Sequence, residues 1–421
     1  MTEPAHHRAG VIETIHRIES PRLIARLARM VGDVGLAEEL AQDALVAALE
    51  QWPSSGVPDN PAAWLMGTAK HHAINHLRRR SMLERKHEEL AREVEPAAPE
   101  IEAMIDDDVG DDLLRLIFTS CHPVLSIESQ VALTLRLLGG LGTEEIARAF
   151  LTAETTIAQR IVRAKRTLSE AKVPFELPRG EERAERLSSV LGVIYLIFNE
   201  GYAATAGDDW MRPELCEDAL RLGRGVAELM PDEPETHGLL ALMELQASRT
   251  PARVGPNGEM VLLPDQDRGR WDGLLIHRGL EALARAEALG GGRYTLQAAI
   301  AACHARAARA EDTDWRRMAE LYAELARLAP SPVVELNRAV AVAMADGPAA
   351  GLAIVDGLAD EPTLARYHRL PSVRADFLAR LGRFDEARVE LERAAALARN
   401  ARERELLLGR AASCARGQYW G

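Results

Sequence analysis

The sequence predicts an all-α chain: two small helical domains joined by an acidic linker, then a long helical repeat array. Three observations predict it. Alanine, leucine, arginine and glutamate dominate while aromatic residues make up only 4% of the chain, a composition of strong helix formers. Apolar residues recur at helical spacing rather than in alternation. A period near 34 residues runs through the second half, as in stacked helix pairs. The length of 421 residues allows two or three domains with buried cores.

Residues 1–83 form the first expected domain. Its helices break at Gly32-Asp33 and at the Pro- and Gly-containing loop Trp52–Asn60. In AEELAQDALVAALEQW, Leu36, Leu40 and Ala44 share one face, and Glu39 and Asp43 form an exposed acidic pair. Asn60 and Pro61 then start a helix as N-cap and first residue. Leu65, Ala69, Ala73 and Leu77 line its core side, while Lys70, His71, Asn75, Arg78 and Arg79 point away and Arg78-Arg79-Arg80 closes it. Trp64 as core and arginines that merely complement the helix C-terminus would give the same pattern.

Residues 84–112 are an expected linker. Between 81 and 112 there are twelve acidic and three basic residues, with Pro96 and Pro99 as breakers, which suits a flexible tether. Residues 113–173 form the second domain. Its segment TEEIARAFLTAETTIAQRIVRAKRTL reads as a helix-turn-helix, with Thr143 as N-cap of the first helix. Ile157, Ile161, Ala164 and Leu168 fall on one buried stripe. Thr155, Thr156, Gln159, Arg160, Arg163 and Arg166 lie outside that stripe, and such side chains can reach base edges and phosphates from a major groove. An ordinary amphipathic helix with a solvated face has this pattern too. The net charge of −13 looks wrong for a DNA binder, yet residues 113–172 carry eight basic groups against five acidic.

Pro174, Pro178 and Gly180 mark the next boundary. From 181 to 421 helix follows helix. Gly382, Phe384, Ala387, Leu391 and Ala394 resemble a tetratricopeptide unit, and Ala219, Pro231, Leu240 and Ala241 fit the same frame. Stacked pairs of this kind bury a continuous core. In DQDRGRWD (Asp265–Asp272), an arginine–carboxylate network is one reading and a ligand or partner pocket the other.

Other classes fit poorly. No run of about 18 apolar residues exists, and MTEPAHHRAG lacks a signal pattern; the expectation is a cytoplasmic protein away from membranes. Cys121, Cys216, Cys303 and Cys414 are spread too widely for a disulfide framework or zinc site, so buried free thiols are expected. His72 and His76 lack a partner at ligand spacing. No nucleophile elbow, phosphate loop or metal triad appears, so neither an enzyme nor a cofactor is expected.

Taken together, AEELAQDAL, PxxWLxxxAxxxxxxxLRRR and TEEIARAFxxxxxTIAQRIVRAKRTL closely resemble an extracytoplasmic-function (ECF) sigma factor of bacterial RNA polymerase. The resemblance covers residues 11–80 as region 2 and 111–172 as region 4. The later YLIFNEGYAAT (Tyr195–Thr205), ALRLGR and DQDRGRWD look like the ECF subgroup with a tetratricopeptide-like extension. The resemblance implies that Glu38, Glu39, Gln42 and Asp43 meet the β′ clamp helices of the core enzyme. It implies that the loop 54–60 and Trp64, Lys70, His71, Asn75, Arg78, Arg79 and Arg80 open and hold the −10 element of promoter DNA. The helix Glu154–Leu168 would read the −35 element, the linker would thread toward the RNA exit path, and the extension would be a built-in regulatory module binding an unknown protein or ligand. His71 and Asn75 depart from the usual asparagine and aspartate. The rival reading is a one-component helix-turn-helix regulator with a sensory repeat domain, which would need neither AEELAQDAL nor the −10-type helix.

Overall fold

A computed structural model describes residues 3–88, 109–203, 211–255, 261–398 and 400–419. The described residues form eighteen α-helices with short 3-10 turns and no extended strand. They divide into two units, residues 1–194 and 195–421.

The first unit opens with α1 (Glu3–Val31), α2 (Val34–Ser55) and α3 (Pro61–Glu88). Gly32, at φ +70°, ends α1 in the left-handed region. Asp33 restarts the chain by accepting a hydrogen bond from the Leu36 amide at 2.9 Å. Leu23, Ile24 and Leu27 of α1, Ala37, Ala41 and Ala44 of α2, and Leu65, Ala69 and Ala73 of α3 are all buried where the three helices pack on one another. The alanine columns let the three helices approach closely. Asn60 caps α3 through the Ala63 amide at 3.0 Å, as its sequence predicts.

The next four helices are α4 (Val109–Ser120), α5 (Ile127–Leu137), α6 (Thr143–Ala149) and α7 (Glu154–Glu170). They do not stand apart from the first three. α4 lies along α1, and α7 reaches α2. Asp112, whose side chain is fully buried, bonds Arg115 at 2.6 Å and lies 3.4 Å from Arg29 of α1. Burial still raises its carboxyl above the ordinary value despite these arginines. The linker expected over 84–112 is helical at both ends, through Glu88 and from Val109; its remainder, 89–108, lies outside the described residues.

The boundary read at Pro174–Gly180 is followed at once by α8 (Gly180–Tyr202), whose first half belongs to the first unit. Arg186 donates to the Phe118 carbonyl at 3.0 Å and sits 5.7 Å from the Phe118 ring, while Ser189 donates to the Cys121 carbonyl. All four cysteines are free and buried.

The second unit contains the rest of α8, then α9 (Pro213–Leu229), α10 (Pro234–Ala247), α11 (Gly273–Ala288), α12 (Arg293–Arg306), α13 (Trp315–Leu328), α14 (Pro332–Asp346), α15 (Pro348–Asp356), α16 (Arg369–Arg380), α17 (Phe384–Leu397) and α18 (Ala401–Ala415). Most of α9 to α18 pack chiefly on their neighbours in sequence, but α12 packs chiefly on α10. Close approach needs glycine at Gly238 of α10, where a Cβ would come within 2.7 Å of the Thr295 backbone of α12. Of the expected repeat unit, Gly382 turns the chain at φ +77° between α16 and α17, and Ala387, Leu391 and Ala394 are buried.

Candidate polymerase and DNA interface

The helix-turn-helix is α6 and α7. Its first helix starts one residue earlier than Thr143 as a cap would place it: Gly142 is the N-cap, and the Glu145 carboxylate accepts its N–H at 2.6 Å. The turn is sharp because Leu151 adopts φ +47°, with the Thr152 amide returning to the Ala147 carbonyl. Glycine is the usual occupant of such a position, which is why the sequence gives little warning of it.

On α7, Ile157, Ile161, Ala164 and Leu168 are buried as the spacing predicts. Thr155, Thr156, Gln159, Arg163 and Arg166 are exposed, whereas Arg160 is half-buried. Its charge acts on Glu128, though that carboxyl is held low mainly by its own backbone hydrogen bond. Arg166 pairs with Glu170 at 2.6 Å. Val162 lies on the open side at 64% exposure, an apolar element that charge counting passes over.

In α3 the two unusual residues pair with each other: the Asn75 amide and the His71 ring lie 3.0 Å apart, one turn removed. Trp64 is half-buried, its ring edge-on to buried Trp52 at 5.2 Å. Lys70 is half-buried and Arg78 exposed; the side chains of Arg79 and Arg80 lie outside the described residues. α2 extends through Pro53 to Ser55, and Val57 beyond it stands open at 45% exposure.

The acidic set on α2 divides in two. Glu39 and Asp43 are exposed and Gln42 is half-buried; Asp43 lies 3.7 Å from the His72 ring. Glu38 is turned inward. Its side chain is only 5% exposed, bonded by Arg136 of α5 at 2.6 Å and ion-paired with Lys165 of α7. Gln42 donates to the same carboxylate at 3.1 Å. A member of the expected clamp-facing set is therefore held by the helix-turn-helix. Arg136 and Lys165 are 98 and 127 residues away in sequence, so helical phase alone could not reveal them.

In the second unit no aspartate of DQDRGRWD is ion-paired to an arginine among the described residues. Asp267 and Asp272 cap the Gly269 amide and the Leu274 and Leu275 amides. Arg268 instead donates to the carbonyls of His304 and Ala307.

Comparison with known families places these elements. Residues 16–82 match sigma-70 region 2, residues 115–168 match sigma-70 region 4, and residues 186–287 match a family of unknown function (DUF6596). An uncharacterised protein of Rhizobium meliloti (strain 1021) is 44% identical over 386 residues, covering 91% of each chain. No solved structure matches. With region 2 and region 4 in order ahead of that shared C-terminal part, the chain belongs to the sigma-70 family as an ECF-like RNA polymerase sigma factor with a C-terminal extension.

Proposed function

We propose that Glu39, Gln42 and Asp43 face the β′ clamp helices, that α3 from Trp64 to Arg80 with the loop 54–60 opens and holds the −10 element, and that α7 reads the −35 element. The observation that carries this is the open polar face of α7. Thr155, Thr156, Gln159 and Arg163 stand exposed along it above a fully buried stripe. A recognition helix requires that geometry: an apolar back anchored in its domain and donors free to meet base edges. Strand opening requires replacement contacts for an unstacked base, and the Trp52–Trp64 pair with exposed Val57 supplies an aromatic and apolar platform for them.

The hold on Glu38 adds a condition. While Lys165 and Arg136 occupy that carboxylate, it cannot also serve the clamp. The free protein thus favours a closed first unit, and polymerase engages the fraction in which α2 and α7 have separated. The extension acts as a built-in regulatory or partner-binding module of tetratricopeptide-like build, and the protein works in the cytoplasm without catalysing a reaction itself. Transcription reconstituted with the purified chain and core polymerase tests the assignment. Start-site-specific transcripts are expected; promoter binding that needs no polymerase and yields no transcript would point to a one-component regulator instead.

A further inference from the structure

The two motifs of the extension, around Tyr195–Tyr202 and Asp265–Asp272, lie beside arginines that have no carboxylate within ion-pair distance among the described residues. Arg253, buried, lies 3.7 Å over the Tyr202 ring, and Arg249 lies 5.8 Å from the same ring. Arg268 sits 4.7 Å over the Trp271 ring. The Arg249 charge acts on Arg253, on Arg268 and on His304, so all four share one neighbourhood. Among the described residues none of the three arginines has a carboxylate within ion-pair distance. Arg268 bonds the His304 and Ala307 carbonyls and the Thr313 hydroxyl, and Arg253 bonds the Tyr202 carbonyl. Neutral acceptors fix where a guanidinium points without pairing its charge, and Asp312 and Glu311 act on Arg268 only from beyond ion-pair distance.

Several buried donors there also lack a partner. The Nε atoms of Arg249 and Arg268, the Trp271 indole nitrogen and His304 Nδ1 are all buried and unbonded. Buried positive charge of this kind is costly unless an anion answers it. The aromatic residues of an aromatic-poor chain gather around it: Tyr195 packs edge-on to Tyr294 at 5.6 Å and His304 to Trp315 at 5.2 Å. Tyr195 and Tyr322 keep part of their surface open to solvent, yet burial pushes both phenols up, Tyr322 to about 12.

We propose that Arg249, Arg253 and Arg268 form a binding site in the extension for the oxyanion of a small ligand, a phosphate or carboxylate group seated among aromatic rings. Guanidinium forks match either group. The site stands independently of promoter recognition and would fail or survive apart from it.

The test follows thermal unfolding of the full chain in inorganic phosphate or citrate, with ionic strength held constant by sodium chloride. A saturable rise in Tm is expected for the wild type, and the more effective anion identifies the source of the oxyanion. R249Q should lose the response, and in chloride alone it should unfold at a higher temperature, because a half-buried charge with no carboxylate partner is gone. R270Q, an exposed arginine in the same motif, should respond like the wild type. Equal anion responses in wild type and R249Q would be general salting effects and would overturn the proposal, as would no response in the wild type. Calorimetric titration of the wild type with phosphate decides the matter should R249Q not fold: heats saturating near one equivalent support the site, and heats that never saturate refute it.

Discussion

Lys165→Met isolates the contact that closes the first unit. The Glu38 side chain is 5% exposed, and its partners Arg136 and Lys165 are 23% and 21% exposed. Removing every partner from a buried carboxylate costs about 3–5 kcal/mol. Here Arg136 and Gln42 remain bonded to it, so the loss is that of one charge-assisted contact, about 1.5–3 kcal/mol before allowing for Lys165's partial exposure. About 1–2 kcal/mol is the working figure, and that shifts an equilibrium by about 5- to 30-fold. Methionine keeps the aliphatic stem that lies against Gly35, so packing is little disturbed.

If polymerase binds only the opened form, apparent affinity scales with the fraction open. K165M should therefore bind core enzyme, measured without DNA, up to about 5- to 30-fold more tightly, because closure is weakened by about 1–2 kcal/mol. Glu38→Gln should not show this gain, since it removes both the lock and a candidate clamp contact. Arg136 makes a poorer probe because it also bonds the Leu141 carbonyl within its own domain. Unchanged or weaker binding by K165M would refute the closed-state reasoning.

Other outcomes follow from single sites. Gln159→Ala on the open face of α7 should cost about 1–3 kcal/mol at one −35 base, read by binding to a set of single-base promoter variants; an equal loss on all of them would make Gln159 a backbone contact. Asp43→Arg, at an exposed position, should weaken co-purification with core enzyme while leaving the circular-dichroism spectrum unchanged, and intact holoenzyme assembly would count against its role. His304 is held neutral, mainly by burial and then by Arg249 and Arg268, with its pKa pushed down to about 3. The unfolded chain takes up a proton near the ordinary imidazole value of 6.5 while the folded chain does not, so stability should fall as pH drops from there toward about 3, by about 1.4 kcal/mol per unit; His304→Gln should flatten that slope in denaturant titrations. Truncation after Tyr202 should yield a soluble two-region fragment, whereas a cut after Arg179 removes Arg186, Ser189 and buried Leu187, Val190 and Leu191 and should aggregate; equal yields would show α8 to be dispensable for that fold.

The pattern of legibility in this chain has a physical basis. Stripes such as Ile157–Leu168 and Leu65–Ala73 were readable because burial of a helix face depends on spacing within one segment. The Asn60 cap was readable for the same reason, being a bond to an amide three residues on; at Gly32-Asp33 only the break was readable, and the Asp33 cap on Leu36 was not. Glu38 was not, because its burial depends on Arg136 and Lys165 from other helices. DQDRGRWD misled in the opposite way. Local capping took up Asp267 and Asp272, a short-range bond that competes with ion pairing, and Arg268 turned to distant carbonyls. The boundary before residue 181 rested on prolines and glycine, which mark a turn but say nothing of which side the following helix packs on.

Net charge misleads about DNA binding here for a related reason. Much of the acid in the second unit is matched at its own position: Arg309 with Asp312, Arg317 with Glu320, Arg383 with Glu386 and Arg388 with Glu392, all within one helical turn. Such pairs project little field beyond a screening length of about 8 Å at physiological salt. The face that meets a phosphate backbone is governed by what stands on it. On α7 that is Arg163, which makes no ion pair among the described residues, and Arg166, whose bond to Glu170 joins two side chains 74% and 62% exposed. An exposed pair of this kind is screened by solvent and contributes little, so a phosphate can take Arg166 from Glu170 at small cost. Glu38, by contrast, holds Lys165 in a buried site and keeps it from DNA. The same helix thus carries one cation committed to closure and others left to the promoter, and the overall charge of −13 bears on neither assignment.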